Sequence, residues 1–431
     1  MATHIPDRPP HDADFSFEAV PHESRRGFWR VGFIMLGFTF FSASMTVGAG
    51  LGNGLDFSGF IWAVLIGGLI LGAYTGALGY IGAHTGEGLD LLAQRAFGRY
   101  GSYVPSALIA FTQMGWFGVG VAMLAHPVGE LLGTGPWPIV IVAGALMTIS
   151  AYIGIRALEV VSFVSVPLIA ILGTWSMVSA ARQGGGLETI FGHATGMPIV
   201  AAVGMVIGSF ISGGTATPNF TRFSRSSTGA VITTVIAFLL GNTLMFSFGA
   251  VGGAFTGKDD IFYVMIAQGL MIPAIIVLGA NIWTTNNNAL YTTGLGFANI
   301  TRIRKGPLVL VAGALGTLSA LWLYDNFIGW LSFLNATLPP IGAIIVVDYF
   351  WRSRRFDVRR LPPVPIAWGA VIGVIAGGLT GWFLPWGINS INAMIVGVIC
   401  YLIGAALQKP SRRSDGRSGP GADPAAFDGQ R

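Results

Sequence analysis

Runs of about twenty apolar residues recur along the chain, the first starting near residue 31 and the last ending near residue 407. An α-helix needs a run of this length to cross the hydrocarbon core of a bilayer, which is about 30 Å thick. Only 10% of the 431 residues are charged, far fewer than a water-soluble protein of this length needs to cover itself. The sequence therefore predicts an all-α polytopic membrane protein.

Twelve transmembrane helices are predicted from these runs, with boundaries that are approximate to a few residues. The predicted spans are 31–51, 58–83, 102–124, 138–155, 160–180, 197–217, 229–255, 271–292, 307–323, 328–347, 366–384 and 387–407. Residues 1–27 and 409–431 are polar, so we expect disordered tails on either side of a membrane domain at 28–408. The N-terminal segment lacks the apolar core of a signal peptide, and we expect it to be retained.

The basic residues are distributed very unevenly over this topology. If the N-terminus is cytoplasmic, only Arg182 and Lys258 of the 24 Lys and Arg residues face outward, which leaves 22 inside. The positive-inside rule produces this pattern for an even number of spans with both termini in the cytoplasm. The membrane topology thereby explains the net charge of +5 without a nucleic-acid partner, and no obligate protein partner is indicated.

Several classes of enzyme and pump lack their characteristic residues in this sequence. The single cysteine, Cys400, excludes internal disulfides and a cysteine metal cage. The six histidines lack the paired spacing of a metalloenzyme motif, and the chain has no Walker-type loop for ATP. The central spans also have hydroxyls without His or carboxylate neighbours that would act as a general base. We therefore expect a protein that is not an enzyme and has no cofactor.

Two of the predicted spans are rich in glycine and serine. Span 1 reads VGFIMLGFTFFSASMTVGAGL, and span 6 reads IVAAVGMVIGSFISGGTATPN. Small residues in membrane helices commonly serve close helix packing, which is the alternative here. Spans 1 and 6 are equivalent, however, if ten of the helices are two copies of a five-helix unit, and transporters with inverted repeats place broken helices and their binding site there. The sequence therefore predicts breaks in spans 1 and 6.

A polar stripe lies in the eighth span, in the segment NIWTTNNNALY. The spacing i, i+3, i+4 and i+7 puts four polar residues on one helical face at mid-membrane depth: Asn281, Thr284, Thr285 and Asn288. Interhelical hydrogen bonding accounts for one such residue, but six amide and hydroxyl groups in eight residues exceed that need. Neutral oxygen donors suit an alkali cation, whereas proton coupling would use a carboxylate or histidine. Sodium is the predicted coupling ion, and a proton is the alternative.

A second set of aromatic and polar residues lies in spans 3, 6 and 8. Its members are Gln113, Trp116, Ser209, Phe210, Ser212 and Asn286. Aromatic faces stack on planar rings, and amides offer both donors and acceptors of hydrogen bonds. Because the set has no fixed charge, we predict a small, neutral, planar solute that is polar at its edge, such as a nucleobase. The alternative for Trp116 is an aromatic residue at the membrane interface, and the alternative for Phe210 is ordinary packing. Four further aromatic residues are assigned to packing: Phe40, Phe41, Phe117 and Trp283.

Long stretches of the chain resemble the nucleobase-cation symporter-1 family, and in particular its bacterial cytosine permeases. The resemblance extends over nearly the whole chain and is carried by RRGFWRVGFIMLGFTFFSAS, TQMGWFGVGVAM, IGSFISGGTATPNFTRF, MIAQGLMIPAIIVLGANIWTTNNNALYTTGLGFANIT and ALWLYDNFIGWLSFL. It implies a leucine-transporter-type fold with two inverted five-helix repeats, at about 28–182 and 195–350, followed by two extra helices at about 366–407. It also implies a secondary active symporter that imports cytosine by alternating access in the bacterial inner membrane.

Carried over residue by residue, the resemblance implies a sodium site and a cytosine site. Sodium is expected against the backbone carbonyls of Gly37 and Phe40 and the side chains of Asn281, Thr284 and Thr285. Cytosine is expected to stack between Trp116 and Phe210 and to bond with its edge to Gln113, Ser209 and Ser212, with Asn286 nearby. The cytosine permeases of the family tend to read TTNDNALY where this chain reads TTNNNALY, so Asn287 replaces an acid and leaves substrate range or coupling open.

Other functions suit the same residues. Uracil, hydantoin or hydroxymethylpyrimidine would fit a planar, neutral site, so they are alternative substrates. A channel would conduct without saturation, whereas broken helices beside amide-rich neighbours favour a saturable site. The expected partners are therefore the lipid bilayer and a small-molecule substrate.

Overall fold

Helices make up the regular secondary structure of the chain wherever the structure describes it. The computed structural model describes residues 14–257, 261–352 and 364–407, so the predicted C-terminal tail at 409–431 lies outside the described residues. The α-helices are α1 (Phe28–Thr39), α2 (Ser42–Gly54), α3 (Phe57–Thr85), α4 (Leu89–Phe97), α5 (Tyr103–Leu132), α6 (Pro136–Ile153), α7 (Ile155–Gln183), α8 (Leu187–Ile190), α9 (Ile199–Thr215), α10 (Pro218–Thr221), α11 (Ser227–Ile236), α12 (Asn242–Thr256), α13 (Ile261–Ala267), α14 (Met271–Thr301), α15 (Lys305–Leu318), α16 (Ala320–Asp325), α17 (Phe327–Thr337), α18 (Pro339–Val347), α19 (Trp368–Phe383) and α20 (Asn389–Leu407). The prediction of an all-α protein is confirmed for the described ranges.

The membrane-spanning helices are recognised by their length and hydropathy. Within the described ranges, eight helical stretches are long and apolar enough to cross a membrane, and the bent pair of α1 and α2 makes a ninth span. Five of the eight are single helices (α3, α5, α6, α7 and α20), and three join consecutive helical segments: Ile199–Thr221, Ser227–Thr256 and Phe333–Trp351. The 31-residue α14 is long enough but falls outside this set, because its asparagines and threonines lower its hydropathy. The apolar helices α15 and α19 are shorter. The count of twelve spans therefore stays a prediction, while a multi-pass membrane protein is confirmed.

The first span is broken at its centre, as predicted. Helix α1 ends at Thr39, α2 begins at Ser42, and their axes differ by 54°. Between them Phe41 is extended, with φ −135° and ψ 135°. Because the last carbonyls of a helix have no partner within it, the end of α1 leaves backbone oxygens that other groups must satisfy in the middle of the membrane.

The sixth span is interrupted later than its glycine cluster suggests. Helix α9 runs without a break through that cluster to Thr215, and α10 then adds one turn from Pro218 to Thr221. The interruption therefore lies at Ala216 and Thr217. Its physical cause is Pro218, which has no N–H to continue the ladder of hydrogen bonds and is suited to the first turn of a new helix.

The long helices pack as two groups. In the first group, α2 packs on α12, and α3 packs on α9 and α11. In the second group, α5 packs on α6 and α14, and α15 packs on all three of these helices. Helix α7 lies against both groups, since it contacts α1 and α12 on one side and α14 on the other. The broken first span and the polar eighth span are thus brought together at the boundary between the groups.

Residues 14–26, which we name the N-terminal strap, correct the prediction of a disordered tail over 1–27. Asp14 forms an ion pair with Lys305 at 2.7 Å and accepts, through its backbone carbonyl, a hydrogen bond from Arg222 at 2.7 Å. Arg25 is buried and donates to the carbonyl of Ala83 at 2.8 Å. The polar composition predicted disorder, but the polar groups of the strap form hydrogen bonds and ion pairs with helix ends and buried charged residues. Residues 1–13 lie outside the described residues.

Candidate substrate and cation site

A small cavity lies beside the break of the first span, between the two groups of helices. The cavity is narrow, with a volume of about 10 Å³, which is space for about one water molecule. Its walls are formed by Phe38, Phe41, Gln113, Trp116, Ser209, Phe210, Ser212, Gly213 and Thr285. Five of the six residues predicted to bind substrate are therefore brought together: Gln113, Trp116, Ser209, Phe210 and Ser212.

The aromatic rings of the cavity are held in fixed orientations. The indole N–H of Trp116 donates to the hydroxyl of Ser212 at 2.9 Å, and the ring meets Phe41 edge-on at 5.4 Å. Phe210 meets Phe38 edge-on at 5.2 Å. Edge-to-face contacts of this kind favour one relative orientation of two rings. These contacts therefore fix the orientations of the Trp116 and Phe210 rings in the cavity wall.

The polar groups of the cavity differ in how well they are satisfied. The hydroxyl of Ser209 donates to the carbonyl of Val206 at 2.8 Å, and that of Ser212 accepts from Trp116. Gln113 is only 1% exposed, and its amide nitrogen has no hydrogen-bond partner among the described residues. An unpaired buried donor costs about 1–3 kcal/mol. A ligand that accepts a hydrogen bond from Gln113 would remove this cost.

The predicted cation ligands converge at the end of α1. The hydroxyl of Thr285 lies 3.1 Å from the carbonyl oxygen of Phe40 and 3.5 Å from those of Gly37 and Phe38. A threonine hydroxyl has one proton and can donate to only one of these carbonyls at a time. Several neutral oxygens therefore surround one point where the helix is open, which is the donor set that an alkali cation prefers.

The two other predicted cation ligands on α14 lie one turn before and next to Thr285. The side-chain oxygen of Asn281 accepts a hydrogen bond from Ser42 at 2.8 Å, which joins α14 to the start of α2. The hydroxyl of Thr284 donates to the backbone carbonyl of Asn281 at 2.8 Å. Both side chains are buried, and the Cβ of Thr284 lies 3.5 Å from where a Cβ on Gly37 would be, so both residues lie near the break. Their binding of a cation stays a prediction.

Asn286 and Asn287 point away from the cavity. The amide of Asn286 donates to the carbonyl of Phe117 at 3.2 Å, and that of Asn287 accepts from the hydroxyl of Ser150 at 2.6 Å. Successive residues of an α-helix are rotated by about 100°, so a residue that follows Thr285 cannot share its face. Asn286 therefore does not line the cavity, its place near the substrate stays a prediction, and Asn287 belongs to the contact between α14 and α6.

Three cavity residues were missed by the sequence analysis: Phe38, Phe41 and Gly213. Phe41 was assigned to packing, yet it is one of the two residues between α1 and α2. The available signal was its position at the predicted break, since an extended residue in a broken membrane helix must face a protein cavity rather than lipid.

Sequence comparison relates the chain to known permeases. A family model described as permease for cytosine/purines, uracil, thiamine and allantoin matches residues 19–360. The cytosine permease of Escherichia coli (strain K12) is 49% identical to the chain over 395 residues, which cover 91% of this chain and 94% of that protein. The similarity therefore includes every helix that forms the cavity.

Solved structures share the fold at low sequence identity. Mhp1, a nucleobase-cation-symport-1 family transporter in a closed conformation with bromovinylhydantoin bound, has a TM-score of 0.77 at 18% identity, covering 91% of this chain and 95% of that chain. A Na⁺-coupled sialic acid symporter in a substrate-bound outward-open state has a TM-score of 0.72 at 16% identity, covering 92% of each chain. The predicted leucine-transporter-type fold is thereby confirmed.

Proposed function

Because this chain belongs to the family of permeases for cytosine/purines, uracil, thiamine and allantoin, we propose that it is a secondary active importer of cytosine driven by sodium. The family and its structural relatives are transporters, so the chain is a membrane transporter of a small molecule and not an enzyme. Cytosine is proposed as the substrate because the cytosine permease of Escherichia coli is 49% identical over nearly its full length.

The observation that carries the proposal is the chemistry of the cavity wall around Gln113. None of the residues that line the cavity in the described chain is charged, so the site favours a neutral solute. Cytosine has a donor and acceptors side by side on its edge, and a buried amide such as that of Gln113 pairs with both kinds of group. The faces of Trp116 and Phe210 supply the aromatic surfaces for its ring.

Sodium is proposed as the coupling ion because of the oxygens at the break of the first span. The carbonyls of Gly37 and Phe40 and the hydroxyl of Thr285 are neutral, hard donors. Thr285 also lines the cavity, so the cation and the substrate would share one wall. Binding of one then affects binding of the other through a side chain that both contact, which is the physical basis of coupled transport.

Alternating access is proposed from the position of the cavity between the two groups of helices. The first group contributes the wall residues on α9, the second contributes those on α5 and α14, and the broken first span adds Phe38 and Phe41. Rocking of one group against the other opens such a site to either side in turn. The end of the domain with the strap carries the predicted inside-facing arginines, and we assign it to the cytoplasm by the positive-inside rule.

Uptake into proteoliposomes tests the proposal. Radiolabelled cytosine is expected to accumulate with an inward sodium gradient and not with an equal potassium gradient. Gln113→Leu, which keeps a side chain of similar size but removes the amide, tests the role of this residue and is expected to lose accumulation. Unlabelled uracil and hydantoin, added as competitors, measure the substrate range.

Two outcomes would contradict the proposal. Accumulation that depends on an imposed proton gradient and not on sodium would show that the proton is the coupling ion. If another base competes at a lower concentration than cytosine itself, that base and not cytosine is the preferred substrate of the site.

A further inference from the structure

Ser162 is a buried serine on α7 whose hydroxyl has no evident structural task. The residue is 1% exposed, and its oxygen has no hydrogen-bond partner among the described residues. A serine in a helix ordinarily bonds back to a carbonyl one turn earlier, as Ser150 does to Met147 in α6. The hydroxyl of Ser162 is thus free to bind a further group inside the protein.

This hydroxyl lies directly beside Gly37, near the end of α1. A Cβ atom added to Gly37 would lie 2.5 Å from the hydroxyl oxygen of Ser162 and 3.5 Å from the Cβ of Thr284. The three residues therefore meet at one point between α1, α7 and α14. Two of them, Gly37 and Thr284, belong to the predicted cation site, and Ser162 approaches it from a third helix. Because Gly37 has no Cβ, the hydroxyl of Ser162 can lie this close without displacement.

We propose that Ser162 is a further oxygen ligand of the cation site, an inference that rests on the proposed sodium coupling. Its hydroxyl is neutral and hard, like that of Thr285, and it is buried without a competing donor or acceptor in the described chain. The desolvation cost of this orphan group is removed when a cation binds. Sodium would then hold α7 to α1 and α14, and α7 is a long helix that packs against members of both groups.

The competing explanation is close packing of small residues between α1 and α7. Ser162→Ala separates the two explanations, because alanine keeps the Cβ contact with Gly37 and removes only the oxygen. Ser162→Cys keeps nearly the same shape and replaces the hard oxygen with soft sulfur. A packing role would leave the sodium response of both variants unchanged.

The experiment measures cytosine uptake in proteoliposomes against sodium concentration, with sodium-dependent thermal stabilisation of the purified protein as a readout that needs no transport. Both variants are expected to need about tenfold more sodium for half-maximal response, the change that follows from losing about 1.4 kcal/mol of binding free energy. Affinity for cytosine at saturating sodium is expected to stay unchanged. The matched control is Thr234→Val, which removes another buried, unpartnered hydroxyl that lies against Gly79 of α3.

The outcomes separate this inference from the proposed function. Wild-type uptake without sodium dependence would refute the sodium coupling and this inference with it. Sodium-dependent wild-type uptake that is weakened by Thr285→Val but not by Ser162→Ala or Ser162→Cys would refute the role of Ser162 alone. If Ser162→Ala does not fold, the isosteric Ser162→Cys decides the question by the same sodium titration.

Discussion

Trp116 is both a wall of the cavity and a donor to Ser212, and these two roles are separable by substitution. Trp116→Ala removes the aromatic face and is expected to weaken cytosine binding by about 1–3 kcal/mol, the usual contribution of a base stacked on an aromatic ring. Trp116→Phe keeps a smaller face and loses the hydrogen bond, so an intermediate loss is expected. Equilibrium binding of radiolabelled cytosine to the purified protein measures both variants.

Trp283 offers the control for this prediction. Its indole donates to Ser150 at 2.9 Å, and it does not line the cavity. Trp283→Phe is therefore expected to leave cytosine affinity unchanged. Equal losses in Trp116→Ala and Trp283→Phe would show that a general disturbance of the fold, and not stacking, lowers the affinity.

Asp90 gives the stability of the fold a dependence on pH. It lies in α4, outside the spans, and burial raises the pKa of its carboxyl to about 6, against the opposing effects of a hydrogen bond from Ser106 and the charge of Arg222. Because the raised pKa favours the protonated form in the folded state, this contribution to stability is fully present below about pH 3.8 and is lost as pH rises to about 6. The loss is on the order of 3 kcal/mol.

Asp90→Asn removes this titration and keeps an acceptor for Ser106. The midpoint of thermal unfolding, measured against pH in detergent, is expected to fall between pH 4 and 6 more steeply for the wild type than for the variant. Parallel pH profiles would contradict the assignment of this titration to Asp90.

The proposed cation site combines two elements that are far apart in sequence, since α14 places Thr285 against the end of α1. Thr285→Val removes the hydroxyl and keeps the shape of the side chain, so the sodium concentration for half-maximal uptake is expected to rise about tenfold. Thr285→Ser keeps the hydroxyl and is expected to retain most of the sodium response. If the two variants behave alike, the hydroxyl of Thr285 is not a cation ligand.

Helical periodicity and residue chemistry predicted the main elements of the site. The spacing of Asn281 and Thr285 put both on one face of α14, and the small residues of the first span indicated its break. The rotation of α14 about its axis was harder to predict, because the packing of α5 and α6 against it sets which face meets the cavity. The sequence therefore did not reveal that Asn286 bonds to Phe117 outside the cavity wall, and Phe41 was assigned to packing although it lines the cavity.

At the scale of the whole molecule, the N-terminal strap joins helices of both groups. Asp14 contacts Lys305 of α15 in the second group, and Arg25 donates to the carbonyl of Ala83 of α3 in the first group. These partners are distant in sequence, so neither composition nor periodicity revealed them. A short polar segment at the start of a chain is ordinarily expected to be disordered, and only the contacts with the folded domain show that this one is ordered.

The pair of Asp14 and Lys305 is buried, and its side chains are 8% and 2% exposed. Asp14→Asn alone leaves Lys305 without its opposite charge and is expected to lower the free energy of unfolding by about 3–5 kcal/mol. The double variant Asp14→Asn with Lys305→Met is expected to lose less than the sum of the single losses, as measured by denaturant unfolding. Strictly additive losses would show that the two charges do not interact.

A partly exposed ion pair provides the comparison for the single and double variants of Asp14 and Lys305. Arg95 pairs with Glu87, but its side chain is 41% exposed, so solvent screens the interaction. Arg95→Gln is therefore expected to change the free energy of unfolding by less than about 1 kcal/mol.

The contact between Asp14 and Lys305 also sets an order of events during biosynthesis. Lys305 leaves the ribosome after roughly 300 further residues, which take on the order of 15–60 s at about 5–20 residues per second. Until then the earliest described residues have no partner on α15, even while the preceding helices enter the bilayer. Asp14 therefore completes its contacts late, and a nascent chain that stalls before residue 305 would lack the ion pair that ties Asp14 to α15.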